Sequence, residues 1–123
     1  MTPATLVTGA RAAQRERAID AALAPGSDTV IILEGLAEGD SPLAAYADLP
    51  EGSWRPTIHR IAPGCLCCAG NLVLRVTLNR ILRRPPAQLF ISLADPTHVG
   101  QLRASLSAAP YDTLLCLGAD LAA

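Results

Sequence analysis

The sequence contains no lysine, and all ten of its basic residues are arginine. A base-composition bias in the gene explains this blandly, but any step that depends on a lysine has no residue to carry it. Aromatic residues make up only 3% of the chain while half of it is apolar. The core must therefore be built from Leu, Ile, Val and Ala. Charge of one sign is also lacking. Ten basic residues face eleven acidic ones for a net charge of -1, with no dense basic stripe. That excludes a sequence-independent nucleic-acid binder, which needs clustered positive charge along a groove. No apolar run approaches the ~20 residues needed to span a bilayer, so no membrane partner is expected. The N-terminus lacks the charged start and apolar block of a signal peptide, and the expected compartment is the cytoplasm. Thiols stay reduced there, so clustered cysteines read first as a metal or redox site and second as a disulfide.

What is present is the length for one domain, residues 1–123. A chain of this size buries roughly two thirds of its unfolded surface and can hold a core without staples. Thr5 to Thr8 reads as a short buried strand closed by Gly9. Good helix formers follow from Ala10 to about Ala24, with Ala18, Ala21, Ala22 and Leu23 as the apolar face, and Pro25-Gly26 ends them. Thr29 to Leu33 is a β-branched run typical of a central strand covered on both faces. Strand, helix and strand over this length form a βαβ unit of right-handed crossover. Ser41-Pro42 starts a short helix through Tyr46, with Ser41 as cap. Thr57 to Ile61 is a third strand.

Residues 71 to 84 fit two periods. Length favours a helix, with Leu74, Leu78, Ile81 and Leu82 on one face, Asn71 as cap and Pro85-Pro86 as stop. Gln88 to Leu93 is a fourth strand. Asp95-Pro96 starts a helix to about Ala108, and Thr113 to Leu117 is a fifth strand. The alternation predicts an α/β fold with a mostly parallel five-stranded sheet flanked by helices.

The most informative stretch is Gly64-Cys65-Leu66-Cys67-Cys68, which holds three of the four cysteines. Thiolate is a soft ligand that favours Zn²⁺ or Cu(I). Cys65 and Cys67 can converge on one ion from a turning loop, and Cys68 adds a third thiol. A closed tetrahedral site needs a fourth ligand. His59, His98 and Asp95 are candidates, because strand-end loops of a parallel sheet gather at one edge. The competing readings are small apolar loop residues, since free cysteine is often buried and inert, or a redox pair of Cys65 with Cys67. Cys116, in an apolar run, reads as plain core. Taken alone, both histidines read as structural or exposed, Asp95 as a helix cap and His98 as a first-turn surface residue.

Gly64-Cys65-Leu66-Cys67-Cys68 resembles the GCxCC motif of the CobW family of metal-chaperone GTPases. Leu6-Val7-Thr8-Gly9 resembles the strand entering that family's P-loop. Val30 to Gly35 and Glu38-Gly39-Asp40 resemble its second strand and the loop after it. Leu93-Ala94-Asp95-Pro96 resembles its GLADP segment, and Tyr111 to Leu117 is placed like its next strand. The resemblance covers nearly all of the chain and the front part of the family's nucleotide-binding domain. It implies a P-loop-NTPase-like fold and a metal site at Cys65, Cys67 and Cys68. The family binds GTP and magnesium, but the residues for this do not carry over. A P-loop uses glycines, a lysine for the phosphates and a Ser/Thr for Mg²⁺. Here Gly9 begins the corresponding stretch, Gln14 stands where the second glycine would be, Arg15 where the lysine would be, and Glu16 where the magnesium hydroxyl would be. The acidic residue before GLADP and the guanine-reading N-K-x-D are also missing. GTP and magnesium binding, and phosphoryl transfer, are therefore not expected.

Three functions follow from these readings. The first is a non-catalytic zinc-binding domain for metal delivery, storage or sensing. The second is a regulatory or interaction subunit that pairs with a CobW-type GTPase, or with a second copy of itself, through apolar surface. The third is an enzyme, as a residual NTPase or a thiol redox protein.

Overall fold

The computed structural model describes residues 1–35, 41–61 and 72–123, with only the backbone of His98 included. The strands are β1 (Thr2–Thr8), β2 (Thr29–Glu34), β3 (Thr57–Ile61), β4 (Gln88–Ser92), β5 (Leu115–Leu117) and β6 (Leu121–Ala122). The helices are α1 (Ala12–Ala22), α2 (Leu72–Ile81) and α3 (Val99–Leu106), with short 3-10 turns at Pro42–Asp48, Pro96–His98 and Tyr111–Thr113. The strands form one sheet in the order β3-β2-β4-β1-β5, with β6 also on β1. Every pairing among the described residues is parallel. The expected α/β architecture is therefore present, with one strand more than the sequence suggested.

Strand β6 continues β5 along the same edge of β1. Ala4 stands opposite Leu117 and Val7 opposite Leu121, so three steps on β1 face four on the other strand. The extra residue lies in Gly118-Ala119-Asp120 and interrupts the strand as a bulge does. Nothing in that tripeptide reads as a strand, which is why the sequence left β6 unannounced.

Two aliphatic layers sandwich the sheet. On one face Ile19 of α1 and Leu43 of the first 3-10 turn pack against Val7, Ile31, Leu33 and Phe90. On the other, Leu74, Leu78 and Ile81 of α2 and Leu102 and Leu106 of α3 cover Leu6, Ile32, Leu89 and Ile91. All six residues of β2 are buried, as its unbroken apolar run required. The crossing from β1 to β2 carries α1 on the first face. The two crossings in the opposite direction, β3 to β4 and β4 to β5, carry α2 and α3 on the second. A single crossover hand requires this division.

Three local expectations are corrected. Helix α1 starts at Ala12 and stops at Ala22, and its buried residues are Ala13, Arg15, Glu16 and Ile19, while Ala21 and Ala22 are exposed. The buried stripe keeps the helical period, but two of its positions hold charges. Helix α3 ends at Leu106, short of Ala108. Cys116 is exposed, not core. It lies on edge strand β5 opposite exposed Pro3, while its neighbour Leu115 takes the covered face.

Candidate functional site

Strands β1 and β4 are neighbours, yet their outgoing connections turn to opposite faces, one into α1 and the other into α3. At such a switch point an α/β sheet leaves a crevice beyond the carboxyl ends of its strands, and ligands of this architecture bind there. Gly9 leaves β1 at this point, Ser92 and Leu93 leave β4, and Glu34 closes β2. The Leu93 N–H donates to the Val7 carbonyl at 2.9 Å and holds the two exits together.

Helix α1 turns its charged stripe into this crevice. Arg15 is only 3% exposed. Its Nε donates to Ser92 Oγ and one Nη to the Gly9 carbonyl, both at 2.8 Å. Gly9 has no room to become anything larger. A Cβ there would stand 2.9 Å from the Ala123 side chain and 3.1 Å from Arg15 Cγ. The Ala123 N–H in turn donates to the Thr8 carbonyl at 2.8 Å, so the segment through β6 is pinned beside the exit of β1.

Glu16, one residue on, is 1% exposed. Arg60 of β3 donates to its Oε1 at 3.0 Å, and the Ser41 hydroxyl donates to the same oxygen. Ser41 has two roles, because its Oγ also accepts the Leu43 N–H and caps the 3-10 turn. A buried carboxylate without such donors would cost several kcal/mol, so the three residues are mutually dependent. Glu34 is buried at the end of β2 and accepts the Ala94 N–H at 2.7 Å, which ties β2 to the β4 exit. Gly35 follows with φ 110°, a left-handed turn that glycine adopts without strain.

The candidate metal ligands are distributed as follows. Cys65, Cys67 and Cys68 lie outside the described residues, as do Glu38-Gly39-Asp40 and the Asn71 cap. Asp95 is exposed after β4 and its carboxylate accepts the Thr97 N–H at 2.9 Å, the cap the sequence indicated. His98 ends the same 3-10 turn. His59 is half-buried in the middle of β3, paired in register with Ile32. Its position shares a strand face with Ile61, on the α2 side of the sheet. Strand β2 stands between His59 and β4, so it is separated from the Asp95–His98 turn. Among the described residues no three His, Cys, Asp or Glu side chains form a group that could hold a metal.

Sequence reasoning singled out Arg15 and Glu16 but missed Ser41, Arg60 and Ser92 as their partners, and Glu34 beside them. A signal for the burial of Arg15 and Glu16 existed. Ala12, Arg15, Glu16, Ile19 and Leu23 fall on one helical stripe, which a strict reading of period rather than residue type would have turned inward.

Comparison with protein-family models, with curated proteins and with solved structures gives no match for this chain. The resemblance to the CobW family therefore rests on the motif residues quoted above.

Proposed function

We propose that this chain is a CobW-like, P-loop-NTPase-like α/β domain that binds zinc through Cys65, Cys67 and Cys68 and does not act on nucleotides. The observation that carries the reading is the state of Arg15 and Glu16. These two positions would have to face phosphate and magnesium. Instead both side chains are buried and bonded within the protein, to Ser92 and Gly9 in one case and to Ser41 and Arg60 in the other. The residues present do not fit a nucleoside triphosphate. A phosphate approaching Glu16 would meet a carboxylate, and one approaching Gly9 would meet the Ala123 side chain. No lysine exists elsewhere to take over.

The thiol donor set does fit a soft ion. Three cysteines in four residues supply charge and softness suited to zinc, which such a site would hold for delivery, storage or sensing. Asp95, His98 and His59 remain the candidates for a fourth ligand. A metal-binding role needs no catalytic residue, and none is assigned.

One observation favours a second reading, an interaction subunit. Leu72, Val73 and Val76 on α2, the helix that follows the cysteine stretch, are 71%, 45% and 52% exposed. A partner of the CobW type or a second copy of this chain would cover them.

Zinc competition titration on reduced protein tests the first reading, with Cys65, Cys67 and Cys68 each changed to Ser. Stoichiometric submicromolar binding that weakens in at least two variants is the expected result. No binding with all three thiols unreactive overturns it and leaves the interaction subunit. GTP with magnesium should leave the melting temperature unchanged, and a nucleotide-dependent rise would restore the NTPase reading.

A further inference from the structure

We propose that the cleft between α2 and α3 is a binding site for a small aliphatic carboxylate, gripped by Arg75 with its apolar body over Leu74, Leu78, Leu102 and Leu106. The inference is independent of the cysteine stretch and of the nucleotide question. The cleft is a cavity of about 440 Å³. That is within the ~300–1,000 Å³ typical of small-molecule pockets. It equals the liquid volume of about fifteen waters, enough for a ligand of roughly ten non-hydrogen atoms.

Its floor is apolar. The four leucines are buried in the larger aliphatic layer and also line the cavity. Its polar groups are few. Arg75 and Ser105 both line it, and among the described residues neither side chain makes a hydrogen bond or ion pair. The other two polar residues of the lining, Asn79 and Tyr111, are engaged with each other, the Tyr111 hydroxyl donating to Asn79 Oδ1 at 3.2 Å. Among the described residues no acidic side chain lines the cavity. The Arg75 charge is close enough to act on the Tyr111 phenol, so it is felt inside the cleft and not only at the surface.

An uncommitted guanidinium beside an apolar floor selects a carboxylate with a hydrocarbon body. The planar fork of arginine matches a carboxylate in two parallel hydrogen bonds, and the leucines take the chain. An amine would be repelled. A neutral alcohol would lose the charge-assisted pair. Arg80, Arg83 and Arg84 on and just after α2 add positive potential on the same side of the sheet and favour the anion further.

Octanoate, octanol and octylamine are the probes, titrated into the full chain and followed by leucine methyl resonances. Octanoate should saturate with a Kd below about 1 mM, the affinity a ligand of ten non-hydrogen atoms can reach. It should shift the methyls of Leu74, Leu78, Leu102 and Leu106. Octanol should bind about tenfold more weakly and octylamine not measurably. R75Q, at an exposed position where folding is not at stake, should weaken octanoate about tenfold and leave octanol unchanged. S105F should fill the cleft and abolish both. If S105F misfolds, R75Q decides alone. No saturation by octanoate, equal binding of the three probes, or an R75Q protein that binds octanoate as before would each overturn the proposal.

Discussion

The switch-point crevice and the cleft over α2 and α3 treat arginine in opposite ways. On the α1 side, Arg15 and Arg60 are spent inside the molecule, on Ser92 and Gly9 and on Glu16. On the other side, Arg75 lines a cavity and bonds to nothing among the described residues. Both regions combine arginine with aliphatic packing, so composition cannot separate them. The difference is whether a buried acceptor lies within reach. Where one does, charge becomes part of the scaffold. Where none does, charge is left for a ligand. The switch-point crevice, where this architecture usually binds, is therefore the internally satisfied region, and the cleft over α2 and α3 is the open one.

A large effect is expected at Glu16. Changing it to Ala strands Arg60 and the Ser41 hydroxyl and opens a hole under α1, and should cost about 3 kcal/mol of unfolding free energy in urea titration. A loss below about 1 kcal/mol would mean the crevice is not the closed network described. Arg15→Gln keeps some bulk and removes the charge-assisted bonds to Ser92 and Gly9. A loss of about 2 kcal/mol is expected from the same titration.

Tyr111 probes the other side. Burial pushes its phenol up, and Arg75 opposes that rise. Burial and the bond to Asp20 also push Tyr46 up. A raised phenol contributes stability that is complete below the unfolded value near 10 and is lost as pH climbs through the folded value. Stability should therefore fall above about pH 10, and Tyr111→Phe should make that fall shallower. Arg75→Gln should move the Tyr111 phenol further up, read from tyrosinate absorbance. An unchanged phenol would detach Arg75 from the cleft.

The smallest effect compares the two faces of α2. Val76→Ser on its exposed face should change stability by no more than about 0.5 kcal/mol. The same titration on Leu78→Ala, at the buried face, should show about 3 kcal/mol lost. Equal losses would mean that Val76 is covered in solution, which would favour a second copy.

Much of the scaffold was legible. Strand β3 runs from Thr57 to Ile61 as expected, and Asp95 is the cap expected of it, at the 3-10 turn that leads into α3. The inner face of α2 follows from Leu74, Leu78 and Ile81. The candidate site was legible only in part. Gly9 and Arg15 were singled out as positions of a degenerate P-loop, and their partners could not be named. A charged residue on a helix reads as solvated until an acceptor is known, and Arg60 lies 44 residues from Glu16. Cys116 was misjudged for a related reason. An apolar run does not say which faces of its strand are covered, and on edge strand β5 the Cys116 face is not.

The sequence by itself determined the α/β alternation, the aliphatic core and the absence of any lysine to hold a phosphate. These depend on residue type and local period, which the chain carries one position at a time. Tertiary structure alone decided that Arg15 and Glu16 turn inward, that Gly118 to Asp120 bulges before β6 and Ala123 come to lie beside β1 and Gly9, and that Arg75 has no partner among the described residues. Each depends on which distant groups come within about 3 Å, since hydrogen bonds and desolvation act only at contact.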